Sequence, residues 1–190
     1  MITESNEMIA TLKDVVQRLV DLGIDYMVTG SFAMSVYATA RTTMDIDVIL
    51  VITGSDAERF ERKFIGDYYV SAASIRRADE NQSMFNILSN LNGVKVDCIV
   101  RKGNSFEVEK FRRRKRSKIG DLEFWVIGKE DLILSKLDWA KNSLSELQFR
   151  DVRNLCESGV DVDFLSVKID QLGLNETWKE FERWKIQAAK

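Results

Sequence analysis

The chain has 190 residues, 45% apolar and 31% charged, with a net charge of -2. That balance suits one folded globular domain, or one with a helical appendage, and excludes the disordered and membrane-spanning classes. Histidine is absent, which removes histidine triads, histidine general bases and histidine metal ligands and leaves any chemistry to carboxylates, Lys, Arg, Tyr or a bound metal.

Cys98 and Cys156 stand far apart without metal-ligand spacing and read as buried thiols in a reducing cytosol. The first residues lack a basic segment followed by an apolar one, so the expectation is a cytoplasmic protein with no membrane partner.

In chain order, Ile9, Leu12, Val15, Val16, Leu19 and Val20 recur at helical spacing, with a stop at Gly23. Residues 26–29 form a short strand that ends at Gly30-Ser31, and Phe32 to Tyr37 read as a helix. Residues 45–52, apolar after two acids, predict a central strand covered on both faces. Ser55 with Glu58 fits a capping box opening a helix that carries Phe60 and Phe64. Residues 84–88 and 94–100 flank a polar loop and predict a hairpin, and residues 122–127 predict another strand.

From Gly128 onward the pattern is helical, over about 130–141, 145–157, 164–172 and 176–189, with stops at Gly159 and Gly173. The fold class is therefore α+β: a mixed sheet flanked by helices, then a helical C-terminal region. A soft boundary near residue 128 divides 1–128 from 129–190.

Side chains two apart on a strand share a face, so Asp45 and Asp47 point the same way. Such a pair repels itself unless a cation sits between, and Mg²⁺ takes one or two carboxylates together with waters and phosphates. Two acids at a strand end also read simply as solvent-facing. Their context is the Gly30-Ser31 turn upstream, whose backbone N–H groups suit a phosphate.

Gly30-Ser31 followed by Arg41-Thr42-Thr43-Met44-Asp45-Ile46-Asp47 resembles the signature of the DNA polymerase beta-like nucleotidyltransferase superfamily. With the later run Glu130-Asp131-Leu132-Ile133-Leu134-Ser135-Lys136, the chain resembles the minimal nucleotidyltransferases related to the AbiEii-type toxins, over Tyr26 to Leu155. The resemblance implies a nucleotidyltransferase core in which Asp45 and Asp47 ligate two Mg²⁺ ions, with Mn²⁺ as a substitute. Asp97 is implied as third ligand and proton acceptor, Gly30 and Ser31 as the phosphate turn, and Arg41 and Lys136 as cations for the triphosphate. The implied reaction is transfer of NMP from an NTP to a hydroxyl or phosphate acceptor by in-line attack on the α-phosphorus, releasing pyrophosphate.

Each finer assignment has a plainer alternative. Asp97 also reads as a polar residue on a half-exposed strand, Lys136 as the partner of Asp131 or Glu130, and Arg150 with Asp151 as an ion pair. Asp161 and Asp163 read as helix capping. The basic run Lys110–Lys118 suits a nucleic-acid backbone, or else a solvated loop or a charged edge strand. The resemblance implies a tRNA 3′ end, a protein side chain or a small molecule as acceptor, and the basic run favours RNA among them. Trp125, Trp139, Trp178 and Trp184 mostly fall at core-compatible positions, and the stripe Trp178, Phe181, Trp184 suits packing, a cognate protein partner or a homodimer. Against the enzyme stands a non-catalytic nucleotide- or RNA-binding regulatory module of the same fold.

Overall fold

The structure, a computed structural model, describes residues 2–38, 45–141 and 145–188. The described residues up to Ala33, together with Asp45–Ile127, form one compact unit, and Met34–Ala38 with the described residues from Gly128 onward form a second.

The first unit opens with α1 (Ile2–Asp21), which starts about two turns before Ile9, the first of its spaced apolar residues. It stops where Gly23 takes φ +64°, and the Ile24 N–H donates back to the Leu19 carbonyl at 2.9 Å. There follow β1 (Tyr26–Thr29), α2 (Gly30–Met34), β2 (Asp45–Leu50), α3 (Ala57–Phe64), β3 (Tyr68–Tyr69) and α4 (Ala72–Glu80). Next come β4 (Met84–Ser89), β5 (Lys95–Val100), α5 (Ser105–Arg112), β6 (Lys115–Ile119) and β7 (Leu122–Val126). α2 ends three residues short of the expected helix and passes into a turn.

α3 also differs from its expected start. Thr53, rather than Ser55, sits at the head of a short 3₁₀ turn, and its N–H donates to the Asp56 carboxylate at 2.9 Å. The Asp side chain two residues before Glu58 reaches that amide first, so the chain enters the helix one half-turn earlier.

Among the described residues the strands form one sheet in the order β3-β4-β5-β2-β1-β7-β6. β1 lies antiparallel to β2, β2 parallel to β5, β4 antiparallel to β5, and β1 parallel to β7. One face carries Ile46, Val48, Leu50, Val96, Cys98, Phe85, Ile87, Val28 and Phe124, all buried. Phe60 of α3 meets Phe85 edge-on at 5.4 Å, and Phe32 meets Phe124 edge-on at 6.4 Å.

Burial pushes the Cys98 thiol well above the usual range, with the Asp97 charge adding to it, and burial also raises that of half-buried Cys156. Since the thiolate is the reactive form, a thiol reagent at about pH 8 should label Cys156 slowly and leave Cys98 untouched until the protein is unfolded. Peptide mapping of the labelled sites checks this.

The second unit contains α6 (Lys129–Ala140), α7 (Glu146–Glu157), α8 (Val162–Gln171) and α9 (Asn175–Gln187). Asp161 caps α8 by accepting the Phe164 N–H at 2.9 Å. The aromatic stripe of α9 is used in packing: Phe181 is buried, and Phe149 of α7 lies 5.9 Å from Phe181 and 6.0 Å from Trp184. Trp139 departs from its expected core position and is 77% exposed. No helix of the described residues is long and apolar enough to cross a membrane.

Candidate active site

The candidate site lies on the face of the sheet opposite that packed core. Alternation along β2 buries Ile46 and Val48 and turns half-buried Asp45 and Asp47 the other way. Parallel pairing then sets Lys95 beside Asp45 and Asp97 beside Asp47, on strands about 4.8 Å apart. Antiparallel pairing of β4 places Asn86 opposite Asp97. The row Asp47, Asp97, Asn86 thus runs straight across three strands, with Thr29 of β1 on the other side of Asp47.

Gly30 closes this row from below. It holds φ +64°, and a Cβ on it would lie 1.9 Å from Asp47 Oδ2 and 2.5 Å from Asp47 Cγ. The Asp47 carboxylate therefore rests on bare backbone. Glycine is needed here twice over, for the left-handed conformation and for the close approach. Ser31, next in the turn, is buried.

Asp97 is 8% exposed and fixed through both oxygens. Asn86, with its amide nitrogen turned towards β5, donates to Oδ1 at 2.8 Å, and the Lys95 ammonium lies 3.1 Å from Oδ2. Lys95 also lies 3.5 Å from Asp45 Oδ2. Its hydrogen bond to Asp97, with the charges of Asp97 and Asp45, holds its pKa above the usual lysine value. Asn86 further lines a cavity of about 300 Å³ with Tyr69, Ser71, Ser74 and Arg77.

Lys95 and Asn86 escaped the sequence reading. The signal for Lys95 was present, since Val94-Lys95-Val96-Asp97 alternates and puts the lysine on the face of the acid. Asn86 needed the hairpin register, which a five-residue loop leaves open.

Among the described residues no group of three or more acids or cysteines is gathered into a cage that could hold a metal ion. Mg²⁺ needs less, because it keeps several waters and takes one or two carboxylates plus substrate phosphates. The donors are hard oxygens, and two of the three carboxylates already hold a cation, the Lys95 ammonium. In kind the residues fit such an ion.

Of the implied phosphate cations, Arg41 lies outside the described residues. Lys136 is buried in the second unit and gives its ammonium to Asp151 at 2.7 Å, with Gln148 at 3.5 Å. Its partner is thus fifteen residues along, on α7, rather than Asp131 or Glu130 on its own helix. Burial and the charges of Glu130 and Asp131 push the Tyr37 hydroxyl up to about 12.

The basic run divides. Lys110 is buried against Glu107 at 2.7 Å, Arg113 meets Glu109 at 3.3 Å, and Arg114 meets Asp25 at 3.0 Å while lying 4.2 Å from the Phe111 ring centre. Lys115, Arg116 and Lys118 remain exposed on edge strand β6, with Arg116 4.6 Å from the Trp125 ring centre. Register transfers the face from strand to strand: Val28 pairs with Val126, and Trp125 with Arg116. Arg116 and Lys118 therefore lie on the same sheet face as Asp45 and Asp47.

No protein-family model and no curated protein matches the sequence. Solved structures do match. A Thermotoga maritima protein assigned as a nucleotidyltransferase superposes with a TM-score of 0.52 at 16% identity, over 75% of this chain and 90% of its own. The antibiotic-resistance factor ANT(2″)-Ia superposes with a TM-score of 0.52 at 10% identity, over 97% of this chain and 94% of its own. At these identities the likeness is one of fold, and the chain shares the α+β fold of these two proteins.

Proposed function

We propose that this chain is a Mg²⁺-dependent nucleotidyltransferase, with its catalytic core in residues 1–128 and a helical region in residues 129–190. The observation that carries the reading is the row in which Asp47 and Asp97 stand side by side, Asp45 shares their face, and Asp47 lies on the bare Gly30 turn. A divalent pair bound there would supply charge neutralisation on the triphosphate and a lowered pKa for the acceptor hydroxyl. Asp45, Asp47 and Asp97 would be its ligands. The Gly30-Ser31 backbone offers N–H groups to the phosphates, and Asp97, oriented by Asn86, accepts the acceptor's proton as its oxygen bonds to the α-phosphorus and pyrophosphate leaves.

RNA is the favoured acceptor, a tRNA 3′ end included, because exposed Arg116 and Lys118 share the acid-bearing face. A toxin-like role with a cognate protein partner follows the family resemblance. It predicts growth arrest on overexpression and a co-purifying partner. A second reading, a non-catalytic nucleotide- or RNA-binding module, is favoured by one observation, the lysine seated between two of the acids.

One assay separates the two. The purified protein is incubated with each labelled NTP, Mg²⁺ or Mn²⁺, and total RNA, beside Asp45→Asn and Asp47→Asn. Metal-dependent label transfer is expected from the wild type, reduced about 10³-fold or more in either variant, the scale on which loss of a transition-state charge stabiliser acts. Absence of transfer to every acceptor tried leaves the binding module.

A further inference from the structure

Lys95 stands where a cation belongs. It pairs in register with Asp45, lies two residues before Asp97 on the same face, and puts one ammonium within 3.5 Å of Asp45 Oδ2 and 3.1 Å of Asp97 Oδ2. Resting on the nucleotidyltransferase reading above, we propose that Lys95 is a resident counter-ion of the acidic row: it holds Asp45 and Asp97 together in the metal-free protein, must release both to admit a divalent cation, and so tunes the affinity for that ion.

The argument starts from charge. Carboxylates on neighbouring strands of one face repel, and a single ammonium between them removes most of that repulsion. A divalent ion ligated by the same oxygens brings two positive charges into the space the ammonium holds. Like charges at this range disfavour one another strongly where one carboxylate is nearly buried, so ammonium and ion exclude each other.

The geometry allows the exchange without disturbing the sheet. The Lys95 side chain is 37% exposed on a flexible four-carbon stem, so it leaves by rotation alone. Its departure frees Asp97 Oδ2 while Asn86 still holds Oδ1, and the carboxylate keeps its orientation. Lys95 bridges two acids, one of them 8% exposed.

The test reads metal binding rather than activity. Mn²⁺ alone is titrated into the full chain without nucleotide, with free Mn²⁺ followed by paramagnetic resonance. The proteins compared are the wild type, Lys95→Met, Lys95→Gln and Lys95→Arg, and melting temperatures are taken with and without Mn²⁺. Lys95→Met and Lys95→Gln should bind Mn²⁺ about tenfold more tightly, the effect of removing one neighbouring like charge, and Lys95→Arg should stay near wild type. The metal-free melting temperature of the two neutral variants should fall, and Mn²⁺ should raise it by more than in the wild type. Binding by the neutral variants with none detectable in the wild type also supports the proposal.

Wild-type binding with unchanged or weaker affinity in both neutral variants overturns the counter-ion role and leaves the nucleotidyltransferase reading standing. Absence of Mn²⁺ binding in the wild type and every variant overturns both. Using two neutral variants guards against one failing to fold.

Discussion

Gly30→Ala should lower nucleotidyl transfer by about 10²-fold or more, the cost of a displacement of about 1 Å in a reacting constellation. It should also weaken Mn²⁺ binding. The cause is local: the added methyl would lie 1.9 Å from Asp47 Oδ2 and 2.9 Å from Asp47 Cβ, so rotating the carboxylate is not enough and β1 and β2 must separate at that point. The left-handed backbone adds about 1–2 kcal/mol against any residue with a Cβ. Steady-state kinetics with a Mn²⁺ titration and a urea melt distinguish the two effects. A Gly30→Ala protein as active as the wild type would remove Asp47 from the chemistry.

The second large effect concerns stability. Lys136→Met should destabilise the protein by about 3–5 kcal/mol, because it leaves the Asp151 carboxylate, 1% exposed, without its ammonium. The double variant Lys136→Met, Asp151→Leu should recover most of that loss, since replacing both members of a buried pair by apolar groups of similar size is often close to neutral. Urea melts of the two variants and the wild type measure this. A single variant as stable as the wild type would mean that the pair is solvated. If Lys136 also serves the triphosphate, the double variant will be folded yet impaired in transfer, which separates the two roles.

The parts of the site that were legible in the sequence rest on short-range geometry. Two-residue alternation puts Asp45 with Asp47 on one face, and a Gly-Ser pair after an apolar strand marks a turn. The parts that were not legible depend on pairing. β6, Lys-Arg-Ser-Lys-Ile, has no apolar alternation because only β7 flanks it, and as sequence it reads as a solvated loop or a charged edge strand. α4 and α5 were missed: Ala72-Ala73-Ser74 and a single buried Phe111 give little helical stripe, and both helices are nine residues or fewer. β3 is two residues long, and its pairing is with β4 and, at Tyr68, with Ile65. The Lys136–Asp151 pair spans fifteen residues between two helices, beyond any intrahelical rule.

The strand order has a kinetic meaning. β1 is made first among the strands and ends at the glycine turn, yet its parallel neighbour β7 lies almost a hundred residues further along, Val28 meeting Val126. Closing so long a loop is slow, because the chain loses its freedom before the pairing rewards it. β4 and β5 pair across one hairpin, and β2 meets β5 fifty residues along, Asp47 beside Asp97, so the acids on β2 and β5 come together before β7 is made. The edge of β1 stays open until β7 arrives, and during synthesis it offers unpaired backbone groups to wrong partners.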